Sequence, residues 1–426
     1  MDRDLRSLHH SDVFPGGKVK REGPSLALVS LGCAKNTVDL QVAAGSLLKD
    51  GFSLSPDPDR ADTVIVNTCA FIESAREEAE QEIRRALALK AKGNFRRVIV
   101  SGCYPQRYPE ARSAFPGVDE WIGVPKDFPE QRTPGFRLTG KAFAYLRIAE
   151  GCNHRCSYCA IPLIRGRYRS RSLTSILKEA RTLIATGCRE LNVIAQDPMR
   201  WKDGEKKLSD LLWALDKLKG DFWVRVLYSY PNEIDEDFLI WMMTSKHAVK
   251  YIDMPIQHTV PAILEKMNRA KTVYEVTGLA EELREIIPDV TLRTTIMTGF
   301  PGESESRFRE LMSDLKRLQF DHLGAFAYSP ELGTKGAGMG GKVKGETARC
   351  REREVMEQQK VIWRLKAKRM LGKTFTALLV APGVARMESQ APDVDGVTYV
   401  DCDAVGEFIK VKLVKLRGFD FVGELV

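Results

Sequence analysis

Residues 150–162 read EGCNHRCSYCAIP and place Cys152, Cys156 and Cys159 in a C-x3-C-x2-C spacing just after the apolar run Ala142 to Ile148. Three thiolates on one tight loop can hold three corners of an iron-sulfur cube. The usual cluster takes four cysteine ligands, so three leave one iron without a protein ligand and open to a small molecule. The competing reading is a zinc knuckle or a group of buried cysteines. Structural zinc wants a fourth ligand at matching spacing, and His154 sits inside the loop at a poor offset.

Downstream of Cys159 the chain repeats a strand-then-helix unit. Strands are expected at Glu190 to Ala195, Trp223 to Tyr228, Val249 to Met254, Leu292 to Thr298 and His322 to Tyr328, and with Ala142 to Ile148 they make six. Helices are expected at Ser172 to Thr186, Leu208 to Leu218, Asp235 to Met243, Val273 to Ile287 and Ser304 to Leu318. Six β/α units predict a partial (β/α)6 TIM-type barrel, with function on the loops at the strand C-termini. Gln196, Asp197, the run Pro255 to His258 and the segment Gly299 to Glu303 fall at such ends. Read from spacing alone, Gly299 to Glu303 is a turn and helix N-cap and His258 a structural histidine. Arg165, Arg167, Arg169 and Arg171 alternate along one stretch and read as a solvated face.

Upstream, three apolar runs share one design: SLALVS before Cys33, TVIV before Cys69 and RVIVS before Cys103. Helical stretches at Val38 to Lys49 and Ile72 to Lys92 separate them, so the order predicts a parallel sheet. Ligands gather outside the carboxyl ends of such strands, where all three cysteines lie. A single cysteine there would be ordinary core. Three at the same end, each in a Gly- or Asn-marked turn, predict a second three-cysteine cluster. Cys188, Cys350 and Cys402 belong to no spaced group and read as bystanders.

At 426 residues with 43% hydrophobic content the chain has room for several cored domains. Nine cysteines, an odd number, argue for a reducing compartment and metal ligation over disulfides. The charged first 24 residues carry no apolar core segment, so they read as a disordered leader and not as a signal peptide. No apolar run is long enough for a membrane helix, and the expected location is cytoplasmic. The domains expected are a cluster domain at 25–125, a linker at 126–140, the barrel at 141–345, a charged connecting helix at 346–371 and a small antiparallel β-barrel at 372–426. That tail holds six basic and eight acidic residues, a net of −2, although the whole chain is +8. An acidic module suits a basic protein better than the phosphates of RNA.

The cysteine loop, with Tyr158 before its last cysteine, resembles the signature of radical S-adenosylmethionine (SAM) enzymes. SLGCAKN, VIVNTCAFI, SGCYPQRY, DMPIQH and GFPGE, in this order, are similar to those of one family among them, the methylthiotransferases, from about Ser25 to Val426. The resemblance implies two 4Fe-4S clusters, on Cys152, Cys156 and Cys159 and on Cys33, Cys69 and Cys103. It also implies SAM bound near Tyr158, Gln196, Gly299, Gly302 and Glu303, and a TRAM-like tail. One SAM would methylate sulfur at the N-terminal cluster, and a second would supply the radical that abstracts hydrogen from substrate.

The segment Ala391 to Gly396 (APDVDG), with YSYP at Tyr228 to Pro231 and FDHLGAFAYSP at Phe320 to Pro330, resembles the branch that modifies an aspartate β-carbon in the twelfth small-subunit ribosomal protein. The implied partners are that basic protein or its ribosomal subunit, and a reducing electron donor. The alternatives are a tRNA methylthiotransferase acting beside the anticodon and an iron-sulfur redox sensor or electron carrier. Two departures from the family pattern, Leu40-Gln41 and Pro198 to Trp201, bear on substrate fit more than on chemistry.

Overall fold

The structure, a computed structural model, describes residues 23–125, 136–269 and 276–426. The leader expected at 1–24 and the linker expected at 126–140 fall largely outside these residues. The described chain forms two compact units, one of residues up to Lys141 together with Ala160–Arg167, the other of Ala142–Cys159 and Tyr168–Val426.

In the first unit, strands β1 (Ser25–Ser30), β2 (Ser53–Leu54), β3 (Ala61–Thr68), β4 (Phe95–Gly102) and β5 (Glu120–Ile122) form one sheet in the order β2-β1-β3-β4-β5. Every pair is parallel, with Leu28 opposite Ile65 and Ile65 opposite Ile99. Successive residues of a strand face opposite sides. Val64, Val66, Val98 and Val100 therefore pack with Ala79, Ile83 and Ala86 of helix α2 (Glu73–Ala91), while Leu26, Ile65 and Ile99 pack with Leu40 and Ala44 of helix α1 (Ala34–Lys49). Burial on both faces explains why the strands read as unbroken apolar runs. Two-residue β2 and three-residue β5 carry no such run and were not foreseen. Leu138, within the expected linker, is buried in the α1-side core beside partly buried Phe136. Residues 136–140 are thus part of this unit's packing and not a free connection.

In the second unit, the strands Phe143–Arg147, Glu190–Ile194 and Trp223–Val226 form one parallel sheet, and Tyr251–Asp253, Thr291–Thr298 and His322–Ala327 form another. A parallel bridge from Val224 to Ala248 joins them, giving the expected six-stranded partial barrel. Its outward residues, among them Leu146, Val193, Val226 and Ile296, pack with Ile176, Leu211, Phe238 and Phe308 of the surrounding helices in one core. Ser172, Asp235 and Ser304 each cap a helix by accepting the N–H of the third residue on, as Ser and Asp do at N-caps. Among the described residues no helix is long and apolar enough to cross a membrane.

The charged helix, Gly345–Lys368, is a packed seam and not a bare connector. Its buried residues Ala348, Arg351, Val355, Gln359, Ile362 and Ala367 recur at helical spacing; Val355 joins the barrel core, and Trp363 and Ala367 the core of the tail. The tail is a closed five-stranded barrel, with one strand, Val384–Met387, that the sequence reading missed. It is not wholly antiparallel, because Thr398–Tyr399 pairs in parallel with Asp420–Leu425.

The inward face of the six strands is polar, and the tail supplies its partners. Glu190, fully buried, bonds Arg225 at 2.8 Å and also Arg386 of the tail. Asp395 accepts the Tyr251 hydroxyl at 2.6 Å and the Ala391 N–H at 2.9 Å, and lies 3.4 Å from His322. Asp393 accepts the Tyr145 hydroxyl. The Ala391 to Gly396 segment, two of whose acids count toward the tail's net of −2, therefore closes the floor of the barrel, and net tail charge is a poor guide to what the tail presents outside.

Burial alone would raise the Glu190 carboxyl, but Arg386 and then Arg225 outweigh it and hold it below the ordinary carboxylate range. A depressed folded-state pKa stabilises above the unfolded value, about 4.3, and that contribution is lost as pH falls through the folded one. Glu190→Ala strands two buried guanidinium groups. It should cost about 3–5 kcal/mol at neutral pH, read as a lower urea midpoint, and the deficit should shrink in acid.

Candidate active site: two sets of three cysteines

The parallel sheet brings Cys33, Cys69 and Cys103 to one edge. Cys33 is the N-cap of α1 after β1, Cys69 follows β3, and Cys103 opens a short helix, Cys103–Arg107, after β4. The strand order reverses between β1 and β3, the switch point at which doubly wound sheets open their crevice. Burial pushes the Cys69 thiol up to about 12, and the like charges of Cys33 and Cys103 add to the rise. Burial likewise pushes Cys103 up to about 11; Arg165 opposes that rise and Cys33 adds to it. Cys33 thus acts on both of the other thiols and Cys103 on Cys69, an interaction that positive charge among them would relieve.

Two glycines permit this approach. Gly32 has φ +91°, and a Cβ there would fall 2.8 Å from the Cys69 Cβ and 2.9 Å from Asn36 Nδ2. Gly102 has φ +97°, and a Cβ there would fall 2.6 Å from the Asn67 side-chain oxygen.

Asn36 ties the loops together. Its Nδ2 donates to the carbonyls of Leu31 at 3.1 Å and Thr68 at 3.0 Å, its own carbonyl accepts from Asn67 Nδ2 at 2.7 Å, and Ser101 Oγ donates to the Asn67 side chain at 3.2 Å. Arg165 donates to Asn36 Oδ1 at 2.7 Å and to Asp39 Oδ2 at 2.9 Å, and one of its nitrogens lies 3.5 Å from Cys103 Sγ. The arginine run is therefore no uniform solvated face. Arg165 and Arg171 are buried while Arg167 and Arg169 are exposed, and Arg171 pairs with Glu179 at 2.6 Å.

Of the two departures from the family pattern, Leu40-Gln41 serves packing, while Arg200 in the second opposes the burial-driven rise of the Cys152 thiol. Leu40 is core, Gln41 accepts the Leu138 N–H at 3.3 Å, and Trp201 is fully buried with its Nε1 donating to the Arg171 carbonyl at 3.0 Å.

The second set lies on the loop after the strand Phe143–Arg147. Ser157 N donates to the Met267 carbonyl at 3.0 Å, Asn268 Nδ2 to the Arg155 carbonyl at 2.9 Å, and Cys159 N to the Cys156 carbonyl at 3.1 Å. His154 is held by Asp197 at 2.6 Å and stacked on Tyr230 with centroids 4.0 Å apart, so its ring braces the loop. Burial pushes the Cys152 thiol up to about 11, and Asp197 and Cys156 add to the rise. Arg269, unforeseen, reaches the Tyr158 hydroxyl at 3.3 Å and Cys156 Sγ at 3.9 Å and donates to the Pro255 carbonyl at 2.8 Å. Among the described residues no trio of Cys, His, Asp or Glu closes on a single ion.

The residues expected around SAM divide in two. Gln196 donates to Glu150 Oε1 at 2.6 Å, but its own Oε1 is buried without a hydrogen-bond partner, as are Ser229 Oγ and Gln257 Oε1, each just past a barrel strand. Such acceptors fit a ligand rich in N–H and O–H donors, as the amino group, ribose and adenine of SAM are. Tyr158 is buried among Ile263, Leu264, Met297 and Phe300. Glu303 instead turns inward: both its oxygens accept the Gly299 N–H at 3.0 Å, and Arg351 donates to it at 2.8 Å. It shapes the Gly299–Glu303 segment, where Gly302 N donates to the Gly341 carbonyl at 2.8 Å. His258, fully buried, accepts the Val260 N–H on Nδ1 at 3.0 Å, and its Nε2 lies 3.3 Å from Glu303.

Comparison with known proteins adds three matches along the chain. Residues 25–123 match an uncharacterized protein family, UPF0004; residues 146–315 match the radical SAM superfamily; residues 380–426 match the TRAM domain. The chain is 38% identical to the ribosomal protein uS12 methylthiotransferase RimO of Bdellovibrio bacteriovorus, over 93% of this chain and 96% of that one. It is 36% identical to the RimO of Dictyoglomus thermophilum, over 94% and 99%. Among solved structures, the radical SAM methyltransferase TsrM from Kitasatospora setae shares the fold, with a TM-score of 0.52 and 15% identity over 73% of this chain and 77% of that one.

Gly32→Ala should disturb one thiol set alone. Anaerobic iron and sulfide analysis is expected to show depletion at Cys33, Cys69 and Cys103, approaching that of the triple alanine variant of those residues, with the iron on Cys152, Cys156 and Cys159 kept. Wild-type iron in the triple variant would remove the N-terminal cluster from this account.

Proposed function

Because the chain belongs to the RimO family of radical SAM methylthiotransferases, we propose that it adds a methylthio group to the β-carbon of an aspartate in ribosomal protein uS12. The observation that carries this reading is the presence of two sets of three free cysteines in a chain related over nearly its whole length to a protein named as a uS12 methylthiotransferase. When bound, the barrel cluster supplies the electron that converts SAM to a hydrogen-abstracting radical, and the N-terminal cluster holds the sulfur that is transferred.

The chain's own residues position and exclude water. Cys152, Cys156 and Cys159 would hold the barrel cluster, and Cys33, Cys69 and Cys103 the other. Tyr158 and Phe300, packed edge to face, keep the loop dry. Gln196, Ser229 and Gln257 offer acceptors to SAM, while Gly299, Gly302 and Glu303 set the wall on which it rests. A carrier or redox sensor gains nothing from a vacant iron and has no use for buried, unpartnered acceptors at the barrel rim.

For the partner, the exposed tail has two faces of opposite sign. Asp401, Asp403 and Glu407 are exposed on one loop, and Lys410, Lys412, Lys415 and Arg417 are exposed along the next strand. The acids favour a basic ribosomal protein and the bases the phosphates of RNA, a combination that suits a ribosomal subunit as the docking partner. A reductant of low potential must supply the electron.

Mass spectrometry of uS12 and of bulk tRNA, from cells lacking this gene and from cells with it restored, separates the proposed substrate from a tRNA. The expected outcome is loss and return of a methylthio group on uS12 alone. Its appearance on tRNA with uS12 unchanged would move the substrate and leave the chemistry standing; reduced protein that releases no 5'-deoxyadenosine from SAM would favour the carrier.

A further inference from the structure

Arg165 is 5% exposed and lies six residues beyond Cys159 in the sequence, yet its side chain belongs to the N-terminal thiol set. The helix Ile161–Arg165 is anchored there by Ala160 and Ile164, which pack in the core of the first unit. Its guanidinium is oriented by Asp39 at 2.9 Å and Asn36 at 2.7 Å. The nitrogen that makes both contacts, Nη2, also lies 3.5 Å from Cys103 Sγ, within the range of an N–H to sulfur hydrogen bond, so three acceptors share it.

We propose that Arg165 is a positioning residue of the N-terminal cluster: it donates a charge-assisted hydrogen bond to the Cys103 sulfur, anchoring that ligand and raising the reduction potential of the cluster it carries. The physical ground is general. Hydrogen bonds to the sulfurs and nearby positive charge favour the more electron-rich state of an iron-sulfur cluster, and burial strengthens both effects. Cys103 is the buried member of the set while Cys33 is exposed, so the cation stands where water contributes least. Asn36 and Asp39 draw on the same Nη2 that faces the sulfur, so Asp39 holds the guanidinium in place while competing for its two N–H groups. A lysine would keep the charge and lose arginine's planar fork.

The inference rests on Cys33, Cys69 and Cys103 holding a cluster, and the test keeps the two apart. In full-length protein whose Cys152, Cys156 and Cys159 are replaced by alanine, only the N-terminal cluster remains, and its midpoint potential is read by anaerobic redox titration followed by electron paramagnetic resonance. Arg165→Gln should shift the potential downward and hasten loss of iron to a chelator by roughly 10- to 100-fold, as removal of a ligand's hydrogen-bond partner does. Arg165→Lys should recover part of the shift, while Asp39→Asn, which removes a neighbouring negative charge and a competitor for Nη2, should move the potential upward.

An Arg165→Gln protein with a full cluster at the wild-type potential would overturn the proposal. If Arg165→Gln does not accumulate, the Lys and Asn variants decide: wild-type potentials in both, with only a lowered melting temperature, would reduce Arg165 to a structural ion pair. If the alanine background holds no iron at all, the N-terminal cluster itself falls, and Arg165 with it.

Discussion

Three thiols gathered at the carboxyl end of one sheet, the innermost of them buried, repel one another on ionising unless positive charge stands among them. That constraint organises the first unit. Parallel strands end on the same side, so cysteines placed after β1, β3 and β4 converge without further instruction, and the side chains around them then serve the convergence. Glycines at positions 32 and 102 remove the atoms that would collide, Asn36 and Asn67 bind the loops to one another, and Arg165 brings positive charge to the most buried sulfur. Burial, and then its two neighbours, push the Cys69 thiol up.

The second unit solves a different problem. A barrel interior is ordinarily filled by layers of branched apolar side chains, but these strands point Tyr145, Glu190, Arg225, Tyr251 and Arg293 inward. Such groups need partners, and on the floor the tail provides them through Arg386, Asp393 and Asp395. At the opposite, carboxyl ends of the strands the acceptors of Gln196, Ser229 and Gln257 are left without them. The same polar lining is thus neutralised at one end, where the tail closes it, and left receptive at the end where the cysteine loop stands. Loss of the tail would expose buried charge inside the barrel, so the tail is part of the barrel's stability as well as a surface.

Much of this was legible in the amino-acid order. Chain spacing alone marked both cysteine sets, because a loop of eight residues keeps its thiols together and a repeating strand-helix order keeps strand ends on one side. Helix starts at Ser172, Asp235 and Ser304 could be read because capping is local chemistry. Short strands escaped notice: Ser53–Leu54 and Val384–Met387 are defined by what pairs with them and not by their own composition. Leu40 and Gln41 looked like departures near a site and turned out to serve packing, since neighbours along a helix face different surroundings.

What the sequence determined by itself was the chemistry of the ligands and the alternation of elements, both of which depend on residues close in the chain. Only the tertiary structure decided where distant charges go. Asp393 and Asp395 counted toward the tail's net charge and became the floor of a barrel, because their partners Tyr145 and Tyr251 lie 248 and 144 residues away. Arg165 looked solvated and became the cation beside Cys103, 62 residues away. Coulomb interactions and hydrogen bonds act over ångströms of space and take no account of sequence separation, so a net charge summed along a segment cannot say which charges a partner will meet.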